Sequence, residues 1–520
     1  MSKIHSKIIA KKKDVLYTIM VNLEILKSGS DIRGTAIALK KEKVNLDAAI
    51  VKKIGAAFSV WLAKKYFKKA LVISVGHDSR LTSREFADAL IAVFTANKIS
   101  TIDCGLTSTP SMYATTRHEK TNSDGAIMIT ASHHPYNKNG LKFFTKDGGL
   151  ASKDIETLIK LTKKEKSFKG KKATHVKIDF ATKYYAKELV ELAKEKTGLE
   201  KPLDGFHIVL DCGNGAGGFF EKSVLKALGA DTFGSQFLEP DGNFPNHVPN
   251  PEDATAMKSI SDCVKMHGAD LGIIFDTDVD RAALVDFKGN PINRNALIAL
   301  LSAILLDEAP SAIAPIIVTD SVTSDGLKKF IASNGGIHIR YKRGYQNVIG
   351  HAKKLCAVGK YVPLAIETSG HAALLENDFL DDGAYLVVRV LIKMAQLKKQ
   401  GKTIFDLIAN LEKPASELES RIFFDVRVSD FKSYGETVIK DFAIYSKKRY
   451  TLEPSTYEGV RVNIEKYNGW FLLRQSVHDP NMVLNIESMD ANGAKQIAKL
   501  VYDYLSKFSD LELSTLKVHI

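Results

Sequence analysis

Leu271-Gly272-Ile273-Ile274-Phe275-Asp276-Thr277-Asp278-Val279-Asp280-Arg281 joins five residues that suit a buried strand to three acids at every second position. In an extended segment, side chains two apart share a side, so the spacing predicts three converging carboxylates at a strand end. Such a cluster repels itself unless a cation neutralises it, and an all-oxygen ligand set suits a hard ion such as Mg2+. Open α/β sheets bind ligands just outside the carboxyl ends of their strands, where these acids fall.

The same arrangement recurs along the chain. Ala70 to Val75 leads into Gly76-His77-Asp78-Ser79-Arg80, and Phe86, Leu90, Val93 and Phe94 then follow at helical spacing. Gly125 to Ile129 leads into Thr130-Ala131-Ser132-His133-His134-Pro135, and Phe206 to Leu210 into Asp211-Cys212-Gly213-Asn214-Gly215. Ile313 to Val318 and Val362 to Ile366 repeat it, the second ending in Glu367-Thr368-Ser369-Gly370-His371. Three similar α/β segments with parallel strands are predicted. The last hundred residues differ: strand-like Val460 to Ile464 and Trp470 to Leu473, then a helical pattern from Asn492 to Leu505, read as a smaller α+β domain.

With 520 residues, and about 150 per domain, the chain has room for three or four domains. Its 45% hydrophobic and 26% charged residues exclude a disordered or fibrous polymer. Ala296 to Leu306, the longest nearly unbroken apolar run, falls short of the roughly 20 residues that cross a bilayer as a helix. Most of the net charge of +13 lies in two Lys-rich stretches, residues 1–27 and 160–177. Neither interleaves aromatics with its lysines, so a solvated surface is expected and nucleic acid and membrane are not expected partners. Four scattered cysteines and no secretory pattern predict reduced thiols and a cytoplasmic protein.

The acidic loop admits several readings. An EF-hand needs Gly at the sixth loop position and Glu at the twelfth, where this chain has Arg281 and Phe287. A haloacid-dehalogenase type of phosphotransferase also follows an apolar strand with Asp-x-Asp-x-Thr/Val; Asp276 would then be a nucleophile and Asp381-Asp382 a second acidic pair. In Thr130 to Pro135 a hydroxyl lies beside two imidazoles, with Asn139-Gly140-Leu141-Lys142 close behind, a combination suited to phosphate.

Taken together, these loops resemble the α-D-phosphohexomutase family of phosphoglucomutases and phosphomannomutases, from about Ser28 to Met489. Thr130 to Pro135 is similar to its phosphoserine loop, Asp276 to Arg281 to its metal loop and Glu367 to His371 to its sugar-binding loop. Arg474-Gln475-Ser476-Val477-His478-Asp479-Pro480 is similar to its terminal phosphate-binding loop. Supporting segments are Ser30 to Gly34, Gly76 to Arg80 and Pro240-Asp241-Gly242-Asn243-Phe244-Pro245. The resemblance implies four domains around a central cleft, three related α/β/α domains and a smaller C-terminal α+β domain. The expected limits are 28–178, 179–292, 293–415 and 416–520, after a basic extension at 1–27.

It further implies a phosphohexomutase acting on glucose or mannose phosphates, a monomer or dimer, with glucose 1,6-bisphosphate as activator. Ser132 would carry a phosphoryl group, and Ser132, Asp276, Asp278 and Asp280 would hold one Mg2+ per active site. Arg33 and Arg281 would neutralise charge, and His133 and Lys142 would handle the proton at the accepting hydroxyl. Glu367, Ser369, His371, Arg343, Gly344, Arg474 and Ser476 would bind the sugar phosphate. Gln346 and His478-Asp479 depart from common family residues, Lys and Thr-Glu, and bear on substrate preference. Lys342 or Arg343 is expected to replace the cation missing at Gln346. Phosphoglucosamine mutase, an aspartyl-phosphate phosphatase and a non-catalytic phosphosugar-binding relative are the alternatives.

Overall fold

A computed structural model describes residues 22–454, 457–476 and 479–520. The basic stretch up to residue 21 and His478 lie outside the described residues. The chain forms two compact units: residues up to Ile292 with Leu380–Gly401, and Asn293–Phe379 with Lys402–Ile520. Among the described residues, no helix is long and apolar enough to cross a membrane.

Among the described residues, the first unit contains two sheets. In the larger, strand Val72–His77 is flanked in parallel by Ser100–Leu106 and Gly125–Ile129, and Lys138–Thr145 returns antiparallel beside Gly125–Ile129. Ile127, Ile129, Leu141 and Phe143 bury against helices Ala48–Lys65, Ser83–Ala96 and Ser152–Lys163. Strand alternation therefore turns Lys142, between Leu141 and Phe143, to the opposite face. Leu23 and Leu26 join this core, and the Lys-rich stretch ends in a short strand, His175–Lys177, parallel to Ser100–Leu106.

In the smaller sheet, Ile208–Asp211 and Leu271–Phe275 are parallel and Ala282–Asp286 returns antiparallel. Helix Gly383–Lys398 packs on Ala282–Asp286 and on helix Ala186–Thr197, although it begins about a hundred residues beyond the strand and nearly two hundred beyond that helix. Its start allows no side chain: a Cβ on Gly383 would come within 2.8–2.9 Å of the Arg281 backbone and the Val279 carbonyl. Asp382 caps this helix, accepting from the Tyr385 N–H at 2.9 Å and the Tyr185 hydroxyl at 2.6 Å. That task, and not a second acidic pair for a phosphatase, accounts for Asp382.

The second unit repeats the scheme with Ile316–Thr319 parallel to Leu364–Ile366 and Ala372–Leu374 antiparallel. It also carries a six-stranded antiparallel sheet whose centre is Gly469–Gln475 beside Asn481–Ser488. Helices Phe431–Lys447 and Gly493–Leu505 cover one face of that sheet, burying Phe442, Ile497 and Val501 against Phe471 and Leu484.

Candidate active site

In the first unit, Phe275 pairs with Ala282, so Asp276 to Arg281 is the connection between two antiparallel strands. The acids converge, but not by the predicted extended geometry. The segment turns, and Val279 adopts φ +66°, a conformation strained for a β-branched residue. One oxygen from each of Asp276, Asp278 and Asp280 lies within 4.8 Å of the other two, and all three residues are buried. Burial, then the charges of Asp280 and Asp278, push the Asp276 carboxyl well above the usual range, with Arg281 and Lys142 opposing.

Lys142 Nζ donates to Asp278 Oδ2 at 2.9 Å and also to Asp280 Oδ2. Thr109 Oγ1 donates to Asp278 Oδ2 at 2.5 Å. Asp278 Oδ1 is buried without a hydrogen-bond partner. A surplus of carboxylate charge with such an oxygen fits a hard divalent cation better than a structural ion pair, so these residues fit magnesium.

The serine loop is the corresponding connection in the larger sheet. Ser132 is buried at φ +52°, and its N–H donates to Thr130 Oγ1 at 2.9 Å. Its hydroxyl donates to Asp276 Oδ2 at 3.2 Å and lies 3.5 Å from Arg281 Nη2 and 3.3 Å from His133 Nδ1. Arg281 also donates from Nε to Asp276 Oδ2 at 3.1 Å. Thus Ser132, His133, Arg281 and the three acids form one cluster, with Lys142 on its acidic side. Arg33 donates to Asp31 Oδ2 at 2.9 Å.

Arg80 and Thr109 are site residues that sequence reasoning missed. Fully buried Arg80 donates to the carbonyls of Ser132, His134 at 2.6 Å, Pro135 at 2.8 Å and Lys138 at 3.0 Å, and pairs with Asp78 at 3.1 Å. This cage holds the serine loop in its strained turn. The signal was present in Gly76 to Arg80, whose acid–base pair follows a strand; nothing local marked Thr109.

In the second unit, Glu367 to His371 again joins antiparallel strands, turning at Gly370 with φ +93°. Glu367 Oε1 accepts from the Gly344 N–H at 2.7 Å. Burial, then Asp320, raises the Glu367 carboxyl to about 7, while His371, Arg343 and the Gly344 bond oppose the rise. Ser369 Oγ is buried without a hydrogen-bond partner, and His371 stacks on Tyr345 with ring centres 5.0 Å apart. Arg343 Nε lies 3.4 Å from Asp320, which also accepts from Thr368 Oγ1 at 2.7 Å. Lys342 sits over the Tyr341 ring, 5.9 Å from its centre. Of the two cations expected to compensate for Gln346, Arg343 is thus the one beside the acids.

Arg474, next to last in strand Gly469–Gln475, is almost fully buried; Nη1 donates to the Gln475 carbonyl at 3.2 Å and Nε has no partner among the described residues. Burial and the neighbouring Arg343 lower its pKa, with Glu458 and Asp320 opposing. A desolvated guanidinium near a second one suits a dianion. Ser476 Oγ accepts from the Asp479 N–H at 3.1 Å, and Asp479 pairs with Arg421 at 2.9 Å.

Two outcomes follow from this geometry. Arg80→Ala should destabilise the fold by about 3–5 kcal/mol in urea unfolding, since it leaves Asp78 buried without its ion-pair partner. Glu367 has a folded pKa of about 7, above its ordinary 4.5, so its contribution to stability is full below 4.5 and lost as pH rises through 7. Melting curves should therefore show Glu367→Gln gaining on the wild type as pH rises from 5 to 8.

The chain matches three domain profiles described as phosphoglucomutase/phosphomannomutase alpha/beta/alpha domains I, II and III, over residues 25–169, 183–289 and 293–414. It is 29% identical to a phosphomannomutase/phosphoglucomutase of Pseudomonas syringae, over 88% of this chain and 94% of that protein. It is 28% identical to a phosphoglucomutase/phosphomannomutase of Thermococcus kodakarensis, over 90% and 96%. A crystal structure of a phosphoglucomutase/phosphomannomutase family protein from Burkholderia thailandensis superposes with a TM-score of 0.77 at 25% identity, covering 94% of this chain and 98% of that one. The three α/β/α domains, the C-terminal domain with its own sheet and the sequence matches agree: the chain belongs to the phosphoglucomutase/phosphomannomutase family and is a mutase, an intramolecular phosphotransferase.

Proposed function

We propose that the protein interconverts hexose 1-phosphates and hexose 6-phosphates, glucose and mannose phosphates being its substrates, through a phosphorylated Ser132 and a hexose 1,6-bisphosphate. The observation that carries this reading is the placement of the Ser132 hydroxyl 3.2 Å from Asp276 and 3.5 Å from the Arg281 guanidinium. Phosphoryl transfer asks mainly for alignment and for neutralisation of charge on the moving group. Asp276, Asp278, Asp280 and the phosphorylated Ser132 would hold magnesium, which would supply part of that neutralisation.

The chain's own residues do the rest. Arg281 holds positive charge against the ester oxygen of Ser132, and Arg80 keeps the loop from relaxing. Lys142 and His133 jointly handle the proton of the sugar hydroxyl as it receives phosphorus and on the reverse transfer. Arg33 adds cationic charge near the serine loop. Glu367, Ser369 and His371 hydrogen-bond the sugar hydroxyls, and Arg474 with Ser476, Arg343 and Gly344 grips the phosphate that is not reacting. Glucose 1,6-bisphosphate, as activator, would phosphorylate Ser132. A cytoplasmic location and domain limits near residues 178, 292 and 415 belong to the same proposal.

An aspartyl-phosphate mechanism is disfavoured because the Asp276 carboxylate is already engaged by Arg281 and by the Ser132 hydroxyl, which stands between it and any incoming phosphorus. Phosphopeptide mapping after incubation with glucose 1,6-bisphosphate decides the point: acid-stable label on Ser132 is expected, and label on Asp276 would sink the mutase mechanism. In the coupled assay from glucose 1-phosphate to glucose 6-phosphate, Ser132→Ala should lower kcat by roughly 10⁴ or more. Arg474→Ala should raise KM by about 10- to 100-fold through loss of charge-assisted bonds to phosphate. Magnesium at about 100 times its Kd should stabilise the wild type by about 2.7 kcal/mol in thermal melts, and Asp278→Asn should abolish the gain.

A further inference from the structure

We infer that the segment from Asp241 to Asp253 is a strap, fastened to strand Ile208–Asp211 by a buried His247–Asp211 ion pair, that holds Arg281 in register with the Arg80-caged serine loop. This makes His247 a positioning residue for the phosphoryl transfer proposed above, on which the kinetic part of the inference rests.

One end of the strap lies on the serine-loop scaffold. A Cβ on Gly242 would come within 2.5 Å of the Ser79 carbonyl and the Leu81 nitrogen, so backbone packs on backbone there. The Phe244 ring lies 5.2 Å from the Arg80 guanidinium. The other end reaches the carboxylate loop: Arg281 Nη1 donates to Asn250 Oδ1 at 3.3 Å and faces Glu252 at 3.5 Å. Asp253 then caps helix Ala254–His267 by accepting from the Thr255 and Ala256 N–H groups. Asn246 Nδ2 donates to Asn214 Oδ1 at 2.8 Å, giving a minor second anchor.

The main anchor is His247. Its Nε2 lies 3.0 and 3.1 Å from the two oxygens of Asp211, and Nδ1 lies 2.9 Å from the Val248 carbonyl. Both ring nitrogens face acceptors, so both carry protons and the ring is an imidazolium against a carboxylate. Asp211 is itself held by the Gly213 N–H at 2.8 Å, Gln236 Nε2 at 2.7 Å and the Ser259 hydroxyl at 3.4 Å. The charged groups that act on His247 are Asp211 and Asp253, and the nearby thiols of Cys212 and Cys263 are raised by burial and stay neutral.

Burial alone would lower the pKa of His247, but the bond and charge of Asp211, the Val248 carbonyl and Asp253 outweigh it, and the net shift is above 6.5. The clasp is therefore complete below pH 6.5 and is lost as pH rises through the folded value.

The test uses the full-length wild type, His247→Gln and Asn250→Ala. Histidine-labelled NMR should show a resonance, absent from His247→Gln, that titrates above 6.5. Wild-type kcat should fall with the same midpoint, and that fall should be missing in His247→Gln. At pH 6.5, His247→Gln should lower kcat roughly tenfold with KM changed less than about twofold. Asn250→Ala keeps the clasp and removes the Arg281 contact together with the Glu252 N–H bond to the same oxygen, so it should lower kcat roughly three- to tenfold with KM changed less than about twofold, a readout that survives if His247→Gln fails to fold. Wild-type kcat in Asn250→Ala, or a His247 titration below 6.5, would overturn the inference. Absence of turnover in the wild type would count against the mutase reading alone; displacement of the Arg281 Nε–H resonance in both variants would then still support the strap, and its constancy would refute it.

Discussion

Three carboxylates buried within 4.8 Å of one another are the constraint around which the first unit is arranged. At an effective dielectric near 20, each pair of full charges at that distance repels by about 3–4 kcal/mol, comparable in sum to the whole stability of a domain. The surrounding residues answer that repulsion. Lys142 bridges two of the acids, Arg281 takes the third, and Thr109 donates to one oxygen. The unmatched Asp278 oxygen leaves the cluster able to hold a cation.

A second regularity follows from topology. The serine, carboxylate and Glu367 loops each connect a strand inside a parallel pair to an antiparallel return strand. Both ends of such a loop are fixed by ladder hydrogen bonds, so a short irregular connection can be held in costly backbone conformations such as those of Ser132 and Val279. The strain is stored where function needs side chains pointed away from the pleat. Arg80, beneath one of these loops, does with four carbonyl contacts what a longer loop would need its own packing to do.

Strands Gly125–Ile129, Leu271–Phe275 and Val460–Ile464 coincide with the predicted ones, because apolar runs bounded by polar loops leave few alternatives. The convergence of the acids was legible, but its means was not: period-two alternation suggested an extended ledge, whereas the chain turns through a left-handed Val279. Arg33 was legible as a cation, and its guanidinium donates to Asp31. Helix Gly383–Lys398 lies within residues 293–414, which match the third domain profile, yet packs in the first compact unit, since a pattern within one helix carries no address for the surface that buries it.

The amino-acid order by itself determined which residues could do chemistry: a serine after an apolar strand, alternating acids, a glutamate with serine and histidine, and a terminal arginine. Local pattern suffices there because charge, hydroxyl and strand-end position are properties of short segments. Only the tertiary structure decided how several of them work together. Lys142 meets acids more than 130 residues away, Thr109 meets Asp278, and His247 meets Asp211, each partnership depending on burial that removes water as the alternative partner.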